Sequence, residues 1–347
     1  MAELAIIADD LTGALDAAAP FAIRGLSTVV ALSIAAIPRA LAAGTRIIGI
    51  STGSREMNAE AATEAVRAAL RALPAGTAVF KKVDSRLKGN IAAELDAIPH
   101  QQSLVVPAIP EFGRVTRAGQ IHGFGVAEPI DIGMRLGRHA AKARIPDIAS
   151  QEDIEAALEH GADLVIGARG LAEAMARRMA PAASPAQPRL PRSSVYCIIG
   201  STDPITLAQL EHLRRTCPDR TDISAPNGVA PDVGARTGLV VLQATPGTEP
   251  ADGLAVAKAL GHALRRLSPP SDALLLVSGG ATAQVILETL GIEILDLLGE
   301  AQPGMPVSRA GDLTVVTKSG GFGEPDSLSR LLASYSNARS PVPSHVG

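Results

Sequence analysis

The chain predicts an α/β fold of two domains with mostly parallel sheets, and three observations carry that expectation. Short β-branched runs alternate with alanine-rich helical stretches, the βα rhythm of a parallel sheet. An apolar content of 46% includes only 2% aromatics and no tryptophan, so the cores are built from Ala, Leu, Ile and Val, as in strands buried on both faces. A length of 347 residues exceeds what one core comfortably organises.

In the first half, strands are expected at Leu4–Ala8, Thr28–Leu32, Arg46–Ser51, Ala78–Val83, Ser103–Val106 and Asp163–Ile166, with helices between them. The clearest helix begins at Asn58 as N-cap and runs to Leu73, with Ala61, Ala65, Ala68 and Ala69 inside and Glu60, Glu64, Arg67 and Arg71 toward water. A closing helix spans Leu171 to Met179. Four prolines between Pro181 and Pro191 deny both helix and central strand, so this run reads as an interdomain linker. The domains are then 1–180 and 193–347, joined by 181–192. In the second, strands are expected at Val195–Ile199, Gly238–Gln243, Ala273–Val277 and Leu313–Thr317. Helices follow at Gly253–Leu267, whose Leu260, Leu264 and Leu267 share a face, and from Ala283 to Leu290.

A net charge of −3 offers no field for a polyanion, and the scarcity of aromatics removes stacking platforms, so nucleic acid is not an expected partner. Cys197 and Cys217 form no CxxC pair and read as reduced thiols of a cytoplasmic protein. No stretch approaches 18 apolar residues and no leader is expected, which argues against membrane and secretion. The seven histidines are scattered without metal-ligand spacing.

The most telling motif is Val315-Val316-Thr317-Lys318-Ser319-Gly320-Gly321-Phe322-Gly323, a strand running into a lysine and then glycines. Glycines let main-chain N–H groups approach an anion, and the lysine is expected to add a point charge. The lysine precedes the glycines, unlike a P-loop, and the motif alone reads equally well as a turn. Leu274-Leu275-Leu276-Val277-Ser278-Gly279-Gly280-Ala281-Thr282 repeats the grammar, which suggests one polyphosphate gripped from two loops. In the first half, Asp9 and Asp10 end the first strand where ligands gather in open α/β sheets. They read either as a helix cap with an acidic first turn or as hydroxyl recognition and general-base chemistry. Ser54-Arg55, Lys81-Lys82-Val83-Asp84-Ser85-Arg86 and the stiff loop Pro107 to Thr116 with Gly113 and Arg114 follow later strands and would meet on the same rim. Cations for a carboxylate beside carboxylates for hydroxyls describe a sugar-acid site, and the Arg55 fork suits a carboxylate. Solvated surface charge is the alternative for Lys81 and Arg86.

Together these motifs resemble the four-carbon acid sugar kinases, which phosphorylate threonate, erythronate or 3-oxo-tetronate with ATP. The resemblance covers nearly the whole chain: Asp9-Asp10-Leu11-Thr12-Gly13-Ala14, Ser54-Arg55, Lys81-Lys82 with Asp84-Ser85 and Gly89-Asn90, Gly113-Arg114, Gly200-Ser201 with Thr206 and Gln209, Gly279-Gly280 with Thr282, and Lys318 with Gly320, Gly321 and Gly323. It implies an N-terminal sugar-acid domain, a C-terminal ATP domain and an active site in the cleft between them, closed about the linker. It further implies that Asp9, Arg55, Lys82, Ser85, Gly113 and Arg114 bind the acid and that Asp10 or Asp84 serves its terminal hydroxyl. Ser201, Asp203, Ser278, Gly279, Gly280, Ala281, Thr282, Lys318, Gly320, Gly321 and Gly323 would hold ATP with Mg²⁺. The reading allows a homo-oligomer. The chain departs from the family pattern at Arg86, Lys88, Asp203 and Ala281, and 130–149 is shorter than usual. These departures motivate an alternative: a sugar-acid-binding or regulatory homologue impaired in transfer. A dinucleotide oxidoreductase is weaker, since no G-x-G-x-x-G follows the first strand of either half.

Overall fold

The computed structural model describes residues 2–182, 188–191 and 194–336. They form two compact units, Met1–Gln187 with Glu293–Gly299, and Pro188–Ile292 with Glu300 onward. The expected α/β class with mostly parallel strands is borne out. Of the proline-rich run expected as a linker, residues 183–187 lie outside the described residues.

In the first unit, β1 (Leu4–Ala8), α1 (Leu11–Ile23), β2 (Thr28–Ala31), α2 (Ile37–Ala42), β3 (Ile47–Ser51), α3 (Ala59–Ala72), β4 (Ala78–Lys82) and α4 (Ile91–Leu95) alternate. After β5 (Ser103–Val106) comes a small antiparallel sheet of β6 (Arg114–Arg117), β7 (Gln120–Gly123) and β8 (Ile130–Asp131). Then follow α5 (Ile132–Leu136), β9 (Ala143–Arg144), α6 (Gln151–Leu158), β10 (Leu164–Gly167) and α7 (Arg169–Met179). The main strands lie in the order β2, β3, β1, β4, β10, β5, β9, all parallel. Every residue of β1 is buried, as expected for a strand covered on both faces. The chain leaves β1 for β2 and β3 on one side and later β4, β10 and β5 on the other. The carboxyl end of β1 is therefore a topological switch point, where a crevice forms in such sheets.

The second unit contains β11 (Val195–Ile199), α8 (Pro204–Thr216), β12 (Arg220–Pro226), β13 (Leu239–Thr245), α9 (Gly253–Leu267), β14 (Leu274–Ser278) and α10 (Gly280–Thr289). Strand β15 (Ile294–Gln302) begins among the residues of the first unit and ends among those of the second. It is followed by β16 (Met305–Ala310), β17 (Leu313–Lys318) and α11 (Ser327–Ser336). The sheet order is β12, β13, β11, β14, β17, β16, parallel except for β16. Here β11 is the switch point. Within the first unit, the start of β15 pairs antiparallel with β2, Ile294 opposite Ala31 and Asp296 opposite Val29.

Several expected elements are present with nearly the expected bounds. Asn58 caps α3, accepting from the Ala61 N–H at 2.9 Å, and Ala62, Ala65, Val66 and Ala69 form its buried face. Helices α7 and α10 begin earlier than expected, at Arg169 and Gly280. Lys81 corrects one reading: it is fully buried, not solvated, with Nζ 3.0 Å from Glu94 Oε2. Its ammonium also donates to the carbonyls of Lys82 at 2.7 Å and Ile7 at 3.3 Å. Glu94 accepts in turn from the Ser54 hydroxyl, which meets that of Thr52 at 2.7 Å. This network fastens α4 and the loop after β3 beneath the carboxyl rim of the sheet.

Removing one partner leaves a buried charge unpaired, so Glu94→Ala should lose about 3–5 kcal/mol in urea unfolding. The paired replacement Lys81→Met with Glu94→Leu should recover most of it.

Candidate active site

At the carboxyl end of β1, Asp9 is almost wholly buried and Asp10 caps α1. The Asp10 carboxylate accepts from the Gly13 N–H at 2.6 Å and from the Thr12 hydroxyl at 3.2 Å. Two neighbouring carboxylates repel, and Arg55, from the turn after β3, offsets that repulsion. Its Nε and Nη2 each lie 2.8 Å from one Asp9 oxygen, its Nη1 lies 2.8 Å from Asp10 Oδ2, and Asp84 stands 4.0 Å away. The fork expected to take a substrate carboxylate is thus bound to Asp9. Gly89 allows the approach of the loop after β4: it has φ +90°, and a Cβ there would lie 2.7 Å from Asp9 Oδ2. Asn90 ties that loop to the Arg55 turn through the carbonyls of Ser54 and Met57.

The environments of the two carboxylates diverge. Burial pushes Asp9 upward, but the Arg55 hydrogen bonds with the charges of Lys81, Arg55 and Lys82 outweigh it and hold Asp9 below its ordinary value. Burial also dominates at Asp10, and with the Asp9 charge it prevails over Arg55, Lys82 and the Gly13 N–H, leaving Asp10 raised. Paired carboxyls driven apart in this way are the pattern of an acid–base site.

Lys82 lies beside the start of α1: its Nζ would be 3.5 Å from a Cβ on Gly13, and it donates to the Val83 carbonyl at 3.0 Å. Asp84 accepts from the Arg86 N–H at 2.8 Å. Arg114, at the start of β6, reaches Ser85 Oγ at 2.5 Å and the Phe124 carbonyl at 2.6 Å from Nη2. Partial burial and nearby Arg86 lower the pKa of its guanidinium. Gly113 sits at φ +66° in the turn that delivers Arg114. One residue of this rim escaped the sequence reading: Arg169, buried at the start of α7, bonds Glu173 at 2.8 Å and lies 3.4 Å from Asp16. Its position directly after a strand end was the available signal.

In the second unit, Ile199, Ser278 and Lys318 stand in register on adjacent strands, so Gly200, Gly279 and Ser319 leave the sheet at one level. A cleft of about 420 Å³ opens there, lined by Gly200, Ser201, Thr202, Asp203, the segment 279–282, Gly320 and Gly321. Helices α8 and α10 both begin at it. Gly279 stands at φ +108° and brings no side-chain cap, so the first N–H groups of α10 remain for an anion. The close spacing requires glycine: a Cβ on Gly200 would fall 2.3 Å from Thr282 Oγ1, and one on Gly320 2.3 Å from Ser201 Oγ. Asp203 caps α8 through the Ile205 N–H at 2.9 Å.

Of the expected nucleotide-site residues, Ser201, Asp203, Gly279, Gly280, Ala281, Thr282, Gly320 and Gly321 line this cleft. Three do not. Ser278 is fully buried beside Thr206, at 3.4 Å between hydroxyls. Gly323 turns toward Gln209 and Ser327. Lys318 lies beneath the loop, spending its ammonium on the carbonyls of Ser319 at 2.9 Å and Gly320 at 3.2 Å and on Thr206 Oγ1 at 3.2 Å. The expected point charge on a ligand is therefore a buried prop.

Two domain models match, a sugar-binding N-terminal domain over residues 4–140 and a nucleotide-binding C-terminal domain over 229–328. The pair defines a protein with one sugar-binding and one nucleotide-binding domain. A D-threonate kinase of Cupriavidus necator is 28% identical over 97% of this chain and 99% of that protein. A 3-oxo-tetronate kinase of Pectobacterium atrosepticum is 25% identical over 95% and 98%. A solved protein of Salmonella typhimurium LT2, provisionally described as a tRNA synthase, has the same fold, with TM-score 0.72 at 20% identity over 94% of this chain and 98% of that one. The chain belongs to the four-carbon acid sugar kinase family. The alignment with the Cupriavidus protein spans 417 residues, longer than this chain, so that relative carries segments absent here. Among the described residues no helix is long and apolar enough to cross a membrane.

The Arg55–Asp9 fork makes a pH-dependent prediction. In Arg55→Met the buried Asp9 charge loses its partner, at a cost of about 2–4 kcal/mol near pH 7, below the full value for a buried pair because 24% of the Arg55 side chain is open to water. In the wild type, lowered Asp9 contributes stability above the unfolded value of about 3.9 and loses it as pH falls. The difference between wild type and variant in urea unfolding should therefore shrink as pH is taken from 7 to below 4.

Proposed function

We propose that this kinase transfers the γ-phosphoryl group of ATP to the terminal hydroxyl of a four-carbon sugar acid, threonate, erythronate or 3-oxo-tetronate. The observation that carries the reading is the split pair at the end of β1: Asp9 held ionised by the Arg55 fork and Asp10 raised beside it. A base working near neutral pH needs such an upward shift, because it must accept a proton from an alcohol and still be largely ionised. Asp10 is the base in this scheme. Asp84 accepts a second hydroxyl, and Lys82, Arg114 and the Ser85 hydroxyl receive the carboxylate end of the acid. Arg55 and Asp9 act from behind, fixing Asp10 and setting its charge environment.

Phosphoryl transfer asks the protein for positioning and charge stabilisation more than for covalent chemistry. In the second unit, the free N–H groups at the start of α10 and the backbone of Gly320 and Gly321 would receive the phosphates. Among the described residues, no group of three or more His, Cys, Asp or Glu is placed to hold a metal ion. Mg²⁺ therefore fits this chain as an ion carried in on the phosphates, where it would neutralise their charge.

The test is ADP release from purified protein with Mg-ATP across the D and L forms of threonate and erythronate and the 3-oxo-tetronates, with glycerate as control. Turnover with a four-carbon acid is expected, and silence across the panel from folded protein would overturn the proposal. Asparagine preserves the helix cap while removing the base, so Asp10→Asn should lower kcat by about 10² or more at little cost in stability. With an ionised base required, kcat/KM should rise with pH through the raised Asp10 value, and that limb should vanish in the variant.

A further inference from the structure

We propose that Lys318 is a positioning residue of the nucleotide cleft: from beneath the loop it aims two main-chain N–H groups at the phosphates, and nucleotide affinity follows its protonation. This deepens the nucleotide reading of the cleft and rests on it.

The geometry is restrictive. Lys318 is 1% exposed, and its three ammonium protons meet three acceptors: Ser319 O at 2.9 Å, Gly320 O at 3.2 Å and Thr206 Oγ1 at 3.2 Å. None remains for a ligand. The Thr206 hydroxyl donates to the same Gly320 carbonyl at 2.7 Å, so that oxygen is held twice from below. In a trans peptide the C=O and the following N–H point in opposite directions, and the described chain has no cis bond. Holding the Ser319 and Gly320 carbonyls inward therefore turns the Gly320 and Gly321 N–H groups outward, to the side where both glycines line the cleft. One buried amine sets two donors. Glycine at both places leaves the loop little stiffness of its own, so the prop decides its orientation.

The prop is titratable. Burial lowers Lys318 to about 8, against the opposing carboxylate of Asp203 at the cap of α8. The other ionisable neighbour, Cys197 of β11, is pushed up to about 12 by burial and stays neutral through this range. Above pH 8 the neutral amine has two protons for three acceptors, so the two carbonyls and the Thr206 hydroxyl can no longer all be held at once, and the positive charge beneath the phosphates is gone.

The experiment is calorimetric binding of ADP to the full chain at pH 7, 8 and 9 with a chelator present. Metal titration is then excluded, and the terminal phosphate, ionising near about pH 6, does not change. Wild-type affinity should fall about tenfold from pH 7 to pH 9, the scale of one lost hydrogen bond to a charged group. Lys318→Met should bind weakly and without pH dependence, and Lys318→Arg should keep its affinity at pH 9. Thr206→Val, which removes one acceptor and one holder of Gly320, should weaken binding and reduce the pH dependence to the part carried by the lost charge, since the neutral amine's two protons then suffice for the two carbonyls; it serves if the methionine variant does not fold. Level wild-type affinity from pH 7 to 9, or a methionine variant binding as wild type does, overturns the role of Lys318. Absence of wild-type binding at pH 7 to ADP with chelator and to Mg-ADP alike is a different result, which overturns the nucleotide reading itself and this inference with it.

Discussion

The fork between Arg55 and Asp9 is the contact on which the first unit's rim depends. Parallel strands bring their polar ends to one edge, and here that edge receives Asp9, Asp10 and Asp84 within reach of a single guanidinium. Without the arginine, a buried carboxylate would stand beside a second one with only lysines for compensation. With it, one carboxyl is fixed as a permanent anion and the other is left adjustable. The planar, two-pronged donor set explains the choice of arginine, because a lysine could satisfy one oxygen at a time.

The two units solve related problems with opposite signs of charge. In the first, carboxylates are concentrated and a cation organises them. In the second, the cleft is lined by glycines with Ser201, Thr202, Thr282 and Asp203, and the nearby cation is hidden below the surface. Buried lysines recur in both: Lys81 meets Glu94, and Lys318 meets only neutral oxygens at hydrogen-bonding distance. Burial without a bonded counter-charge drives Lys318 down to about 8.

Much of the fold was legible in the sequence because parallel strands are nearly continuous apolar runs with sharp polar ends. Val195–Ile199, Ser103–Val106 and the helix Gly253–Leu267 have the expected bounds. What escaped had weaker patterns. Strand β12 is an edge with only Ile223 and Ala225 buried, so its composition is that of a loop. Helix α8 was missed although Asp203 followed by Pro204 is a readable start, a cap and then a proline in the first turn. At the sites, sequence located the strand ends and the glycines, since both are local properties. It could not tell which way a lysine points, so Lys318 was expected on the ligand and Lys81 either on the site rim or on the solvated surface, and both are interior. The fate of the Arg55 fork was equally hidden, because its partner lies 46 residues away in sequence.

Strand β15 gives the two units a shared piece of chain. Glu293–Gly299 belongs with the first unit, although more than a hundred residues of the second precede it, and its start covers the β2 edge. A gene fragment ending at the proline-rich run would therefore produce a first unit missing a strand, with a row of unpaired main-chain groups along Thr28–Ala31. Such an edge invites pairing with any other extended chain. The two halves are covalently interleaved, and neither could have been acquired or lost as a simple N-terminal or C-terminal cassette without mending that edge.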